Sequence, residues 1–97
     1  MNLEAMFEGN DKEFLKFDRI EKPLHHRPDI CAFLMLDSIL PPEVKDRDMV
    51  SGARHDVIYL DVDCEALAKV ITDEQVRDLS RCGVLYDCDT DSLSMFV

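Results

Sequence analysis

The chain has 97 residues, 46% of them hydrophobic and 33% charged, with only 3 glycines and 4 prolines, a composition that excludes a disordered or low-complexity segment and fits one folded domain with a thin core. A formal net charge of −10 and a pI near 4.5 oppose phosphate backbones and anionic lipid, so direct nucleic-acid binding and attachment to a membrane surface are not expected, whereas a basic protein partner is. The excess acid is spread along the chain, 11 acids against 7 bases up to residue 50 and 10 against 4 beyond it, so no separate acidic tail stands out.

The opening stretch "MNLEAMFEGNDKEF" carries acids where a secretory signal needs a basic start and an unbroken apolar run. The longest apolar run, Ile30 to Leu36, is too short to cross a bilayer. A cytoplasmic protein is expected, with Cys31, Cys64, Cys82 and Cys88 as reduced thiols. Residues 1–22 are weakly patterned. Phe14, Phe17 and Ile20 recur at spacings of three, which suits a short amphipathic helix or an irregular docking arm. Pro23 ends that segment, and Leu24 to Arg27 carry the chain across a loop.

The stretch "RPDICAFLMLDSILPP" is the strongest helix signal. Pro28 suits the first helical position, Asp29 favours the positive end of the dipole, and Pro41-Pro42 stop the helix. Between these limits only Asp37 and Ser38 are polar, so the helix is apolar on nearly every side. In a small domain such a helix is either central or shared with a second subunit, and a homodimer through Ile30–Leu40 is expected.

Residues 43–55 mix charge with Ser51-Gly52 and read as a loop, with or without one helical turn. The periodicity then changes, and Val57–Val62, rich in β-branched and aromatic residues, reads as a strand. Asp63 is placed to cap a short helix over "CEALAKVI", with Leu67, Val70 and Ile71 on one stripe. Thr72 and Gln75 form a capping box for the next helix, which buries Val76, Leu79 and Cys82 and closes at Gly83. Val84–Tyr86 and Leu93–Val97 are short β-type runs on either side of an Asp, Thr and Ser cluster, a hairpin. The expected fold is a single α+β domain over residues 1–97: a small antiparallel sheet of about three strands, including the C-terminal hairpin, packed against three or four helices.

The hairpin cluster Asp87-Cys-Asp89-Thr-Asp91 sets three carboxylates at alternate positions. A helix–loop–helix calcium loop requires a glycine at its sixth position, and counted from Asp87 that position is Ser92. Asp and Thr also bond turn backbone, so an acidic turn is expected. Asp61 and Asp63, with Glu65 nearby, are the other candidates. Positions two apart share a strand face, and two carboxylates at a strand end suit Mg²⁺-assisted phosphoryl transfer, although no glycine-rich phosphate loop accompanies them.

The cysteines are separated by 33, 18 and 6 positions, without the paired knuckle that marks a zinc site. A site from Cys64, Cys82, Cys88 and a histidine has no support in that spacing, nor has a nucleophilic thiol paired with His25, His26 or His55. Cys31 and Cys82 read as small core residues. No catalytic, cofactor-binding or metal-ligating residue is therefore expected. The chain reads as a small acidic interaction module that occupies a partner's surface, of the composition common among phage and mobile-element accessory or inhibitor proteins. The alternative is a metal-dependent enzyme or metal-binding protein using Asp61, Asp63 and nearby acids.

Overall fold

The computed structural model describes residues 2–40 and 48–96, and four helices lie on a four-stranded antiparallel sheet in an α+β arrangement. In chain order they are α1 (Leu3–Gly9), α2 (Pro28–Ile39), β1 (Val50–Arg54), β2 (Val57–Leu60), α3 (Cys64–Val70), α4 (Asp73–Arg81), β3 (Val84–Asp87) and β4 (Ser92–Phe96). The strands are ordered β1-β2-β4-β3. The sheet thus has one strand more than the sequence suggests, because β1 occupies part of the stretch 43–55 that reads as a loop. Its residues are mostly exposed and a bulge interrupts its register between Val50 and Gly52, so it shows no buried alternation by which to recognise it. The Pro41-Pro42 stop, the first part of the 43–55 stretch and the final Val97 fall outside the described residues.

Strand alternation divides the sheet into two unlike faces. The register aligns Ile58 with Met95 and Val84, and Leu60 with Leu93 and Tyr86. That face joins Leu3, Met6, Leu36, Leu67, Val76 and Leu79 from the helices in one core. On the opposite face Val57 pairs with Phe96, and Tyr59 with Ser94 and Leu85. Phe96 remains 59% exposed there.

The helix boundaries follow from local chemistry. The Asn2 side chain accepts the Ala5 N–H at 2.8 Å and starts α1, with Leu3, Met6 and Phe7 buried on one stripe. This helix precedes the region in which the phenylalanine spacing suggests one. That region forms two 3-10 turns, Asp11–Glu13 and Phe17–Arg19, and a spacing of three is the period of that geometry. Pro28 opens α2 as anticipated. Asp63 caps α3 by accepting from the Glu65 and Ala66 amides, and Thr72 and Gln75 form the full capping box of α4.

Gly83 ends α4 at φ +98, a conformation that costs any residue with a Cβ. Across α4, Arg81 ties down the first part of the chain. Its Nε and Nη2 donate to Glu13 Oε1 at 2.9 and 2.7 Å, and its Nη1 donates to Asp78 at 3.1 Å. Arg19 adds a 2.6 Å bond to the other Glu13 oxygen, so the 3-10 turns are fastened to the helix by charge as well as by the packing of Phe17 and Ile20. This shared carboxylate stays ionised more readily than usual, since its hydrogen bond with Arg81 outweighs partial burial and lowers its pKa.

Candidate functional site

The acidic residues singled out in the sequence prove to be turn and cap residues. At the hairpin, Asp87 Oδ1 accepts the Asp89 N–H at 2.9 Å, the Asx arrangement that replaces missing ladder bonds. Asp91 sits at φ +49 and accepts a hydrogen bond from the Tyr86 hydroxyl. Loss of the phenolic proton beside that carboxylate is disfavoured, and the Tyr86 pKa is pushed up to about 12 by the bond to Asp91, with burial adding to it. Thr90 and Ser92 hydroxyls meet at 2.6 Å. The carboxylates of Asp87 and Asp91 are therefore held within the turn itself.

Asp61 and Asp63 do not share a strand face. Strand β2 ends at Leu60, and the Val62 N–H turns back to the Leu60 carbonyl at 2.9 Å, a tight three-residue turn that breaks the alternation. Asp61 donates its backbone N–H to Met49 at 2.6 Å. The Asp63 carboxylate caps α3 through one oxygen, Oδ1, with both amide contacts at 3.1 Å. Among the described residues, no group of three or more His, Cys, Asp or Glu side chains is arranged to hold a metal ion.

All four cysteines are free thiols. Cys31, Cys64 and Cys82 are buried and Cys88 is exposed. Burial raises the pKa of Cys64 to about 11, helped by the negative charges of Asp91 and Asp63. Burial likewise pushes the Cys82 thiol up, with the neighbouring Cys31 adding to it. Both thiols are held in the protonated, weakly nucleophilic form. His25 and His26 stack at 4.4 Å, and His25 Nδ1 accepts the Arg27 N–H at 3.1 Å, a local loop contact.

A different feature stands out: a cleft of about 400 Å³ between α1 and β3. Its apolar lining comes from Phe7, Phe14, Val84 and Leu85, and its acidic wall from Glu4, Glu8 and Asp11. These three carboxylates are exposed and form no ion pair among the described residues. A concave apolar floor with uncompensated charge along one wall is suited to binding a cationic, partly apolar group. The spacing of Phe14, Phe17 and Ile20 does not point to this site, which depends on α1. The signal is nevertheless present, since Asn2 precedes an i, i+3, i+4 stripe of Leu3, Met6 and Phe7, and Glu4 and Glu8 lie one turn apart beside it.

No helix of the described residues is long and apolar enough to cross a membrane. Comparison with protein-family models, with curated proteins and with solved structures finds no match to this chain.

Proposed function

We propose that this chain is a non-catalytic interaction module of the cytoplasm that acts by occupying the surface of a basic protein. The observation that carries this reading is the cleft beside α1, where Glu4, Glu8 and Asp11 face solvent without cationic partners next to an apolar floor. A neighbouring cluster does balance its charges, the Glu13, Arg19, Arg81 and Asp78 network. With a net charge of −10, the unbalanced wall steers a basic surface toward the cleft, and the apolar floor supplies what holds it there. The competing reading, a metal-dependent enzyme or metal-binding protein on Asp61 and Asp63, has less support because the Asp63 carboxylate already serves as a helix cap.

The test is affinity capture from an extract of the source cell. The parent chain is compared with the Glu4→Gln/Glu8→Gln/Asp11→Asn variant, at low and high salt. The proposal expects a basic protein retained by the parent chain, released by salt and missing from the variant. A captured protein indifferent to both salt and the substitutions contradicts it.

Helix α2 motivates a second reading, self-association. Cys31, Ala32 and Leu36 are buried in the core, while Leu34 is 43% exposed on the other side, next to partly buried Ile30 and Phe33. A twofold pairing through Ile30–Leu40 covers these groups. Light scattering distinguishes a dimer from a species that stays at 11.2 kDa across the micromolar range.

A further inference from the structure

We propose that the free edge of β3 is a strand-addition site, taking an extended peptide segment in which apolar residues alternate with Lys or Arg. This rests on the reading that the partner is basic and adds how that partner is held.

Strand β3 closes one side of the sheet and pairs only with β4 among the described residues. The N–H and C=O groups on its other side have no strand partner and form a template for one. Proteins ordinarily blunt such edges with bulges, prolines or cationic side chains. The opposite edge is treated in this way: β1 carries a bulge near Gly52 and ends in Arg54. Strand β3, Val84-Leu85-Tyr86-Asp87, is short and ends in a carboxylate, but it carries no bulge, proline or cationic side chain and pairs with β4 in unbroken register. Among the described residues, the β3 edge has no strand beside it on its outer side.

The surroundings of that open edge match the two-sided pattern of a strand. An added strand lies about 4.8 Å from β3, with side chains pointing alternately to the two faces. On one face is the α1 cleft with Phe7 and Phe14. On the other face the neighbour of an added strand is Leu85, at the rim of a hollow of about 310 Å³ whose further lining, Val57, Tyr59 and Phe96, lies inward on β2 and β4. One row of the incoming peptide enters the cleft, and the other stands beside Leu85 and Asp87 on the open face.

Charge decides between occupants. Glu4, Glu8 and Asp11 stand along the cleft and Asp87 at the strand end, so an acidic segment is repelled. A second copy of this chain is disfavoured on the same ground, because pairing β3 with β3 brings two acidic walls together. Lys or Arg heads meet these carboxylates while their aliphatic stems lie along apolar surface. The four residues of β3 set a paired segment of about four to six residues.

The experiment uses the full ¹⁵N-labelled chain and an acetylated, amidated hexapeptide alternating valine and lysine. Three controls accompany it: the same peptide N-methylated at every residue, a valine–glutamate version, and the Glu4→Gln/Glu8→Gln/Asp11→Asn protein. The expected result is saturable shifts centred on Val84–Cys88, Phe7 and Phe14, with slowed amide exchange on the outer side of β3. N-methylation, which removes the peptide's backbone donors, weakens binding at least tenfold. The glutamate peptide does not bind, and the neutralised protein binds the parent peptide more weakly. Equal binding of the parent and N-methylated peptides overturns strand addition while leaving a basic partner in place. Shifts elsewhere, no binding at millimolar peptide, or β3 amides that become protected as the protein alone is concentrated also overturn it. Charge-dependent capture from extract decides the parent reading separately.

Discussion

Replacing Gly83 with alanine tests whether backbone conformation, rather than contact, shapes the junction between α4 and β3. Gly83 adopts φ +98, and holding a residue with a Cβ in the left-handed region costs about 1–2 kcal/mol. The new Cβ also meets Leu15 Cδ2 at 3.0 Å, so that side chain must shift by a few tenths of an ångström. Leu15 is 65% exposed and has solvent to move into, which makes the steric part the smaller one. A loss of about 1–2 kcal/mol lowers Tm by roughly 4–16 °C in a domain of this size. The assay is a set of thermal and urea melts on the parent, Gly83→Ala, Leu15→Ala and the double variant. Leu15→Ala alone is expected to stay within about 0.5 kcal/mol of the parent, as surface substitutions do. The double variant should remain destabilised like Gly83→Ala. A Gly83→Ala melt within about 2 °C of the parent refutes the backbone argument. Full recovery in the double variant also refutes it, by assigning the cost to the Leu15 contact.

A thiol-reactive dye at mildly alkaline pH should modify Cys88 quickly and Cys31, Cys64 and Cys82 only after denaturant is added, because the last three are buried; more than one fast thiol contradicts this. Glu13 has a depressed folded pKa relative to its ordinary 4.5, so its contribution is present above that value and is lost as pH falls through the folded pKa. Glu13→Gln should therefore be less stable than the parent at pH 7, with the deficit closing in urea melts at acidic pH, and a deficit independent of pH would be the wrong outcome. Asp91→Asn should let Tyr86 titrate well below about 12 in an ultraviolet pH titration, and an unchanged profile would deny the hydrogen bond its role. Melts with and without millimolar Ca²⁺ or Mg²⁺ should coincide, whereas saturable stabilisation abolished by Asp89→Asn would reassign the turn as a cation site.

Where the sequence was legible, a local rule and a tertiary requirement agreed. Asp63, Thr72 with Gln75, and Gly83 each mark a helix end by a specific hydrogen bond or φ value, and each does so in the fold. Val57–Leu60 and the C-terminal hairpin show their alternation because one face meets the core. Strand β1 was illegible because an exposed, bulged edge strand need not alternate. Helix α1 is hard to read for another reason: it is short, and the phenylalanine spacing just after it imitates a helix where the chain forms 3-10 turns. The candidate cleft needs both of the elements that bound it, α1 and the edge of β3. Only their meeting in three dimensions places Glu4, Glu8 and Asp11 beside Phe14 and Leu85. Asp61 and Asp63, by contrast, share a face only in a strand that runs on to residue 63, and β2 ends at Leu60.

The most direct measurement locates the working surface by comparing the affinity of the captured partner for two charge variants. Glu4→Gln/Glu8→Gln/Asp11→Asn removes the cleft wall. Asp61→Asn/Asp63→Asn removes two charges elsewhere and keeps the α3 cap, since asparagine caps as well as aspartate does. Three exposed charges contributing about 0.5 kcal/mol each predict a roughly tenfold loss for the first variant. The second variant should bind almost as the parent does. Loss confined to the Asp61 and Asp63 variant would contradict the account and return attention to those carboxylates.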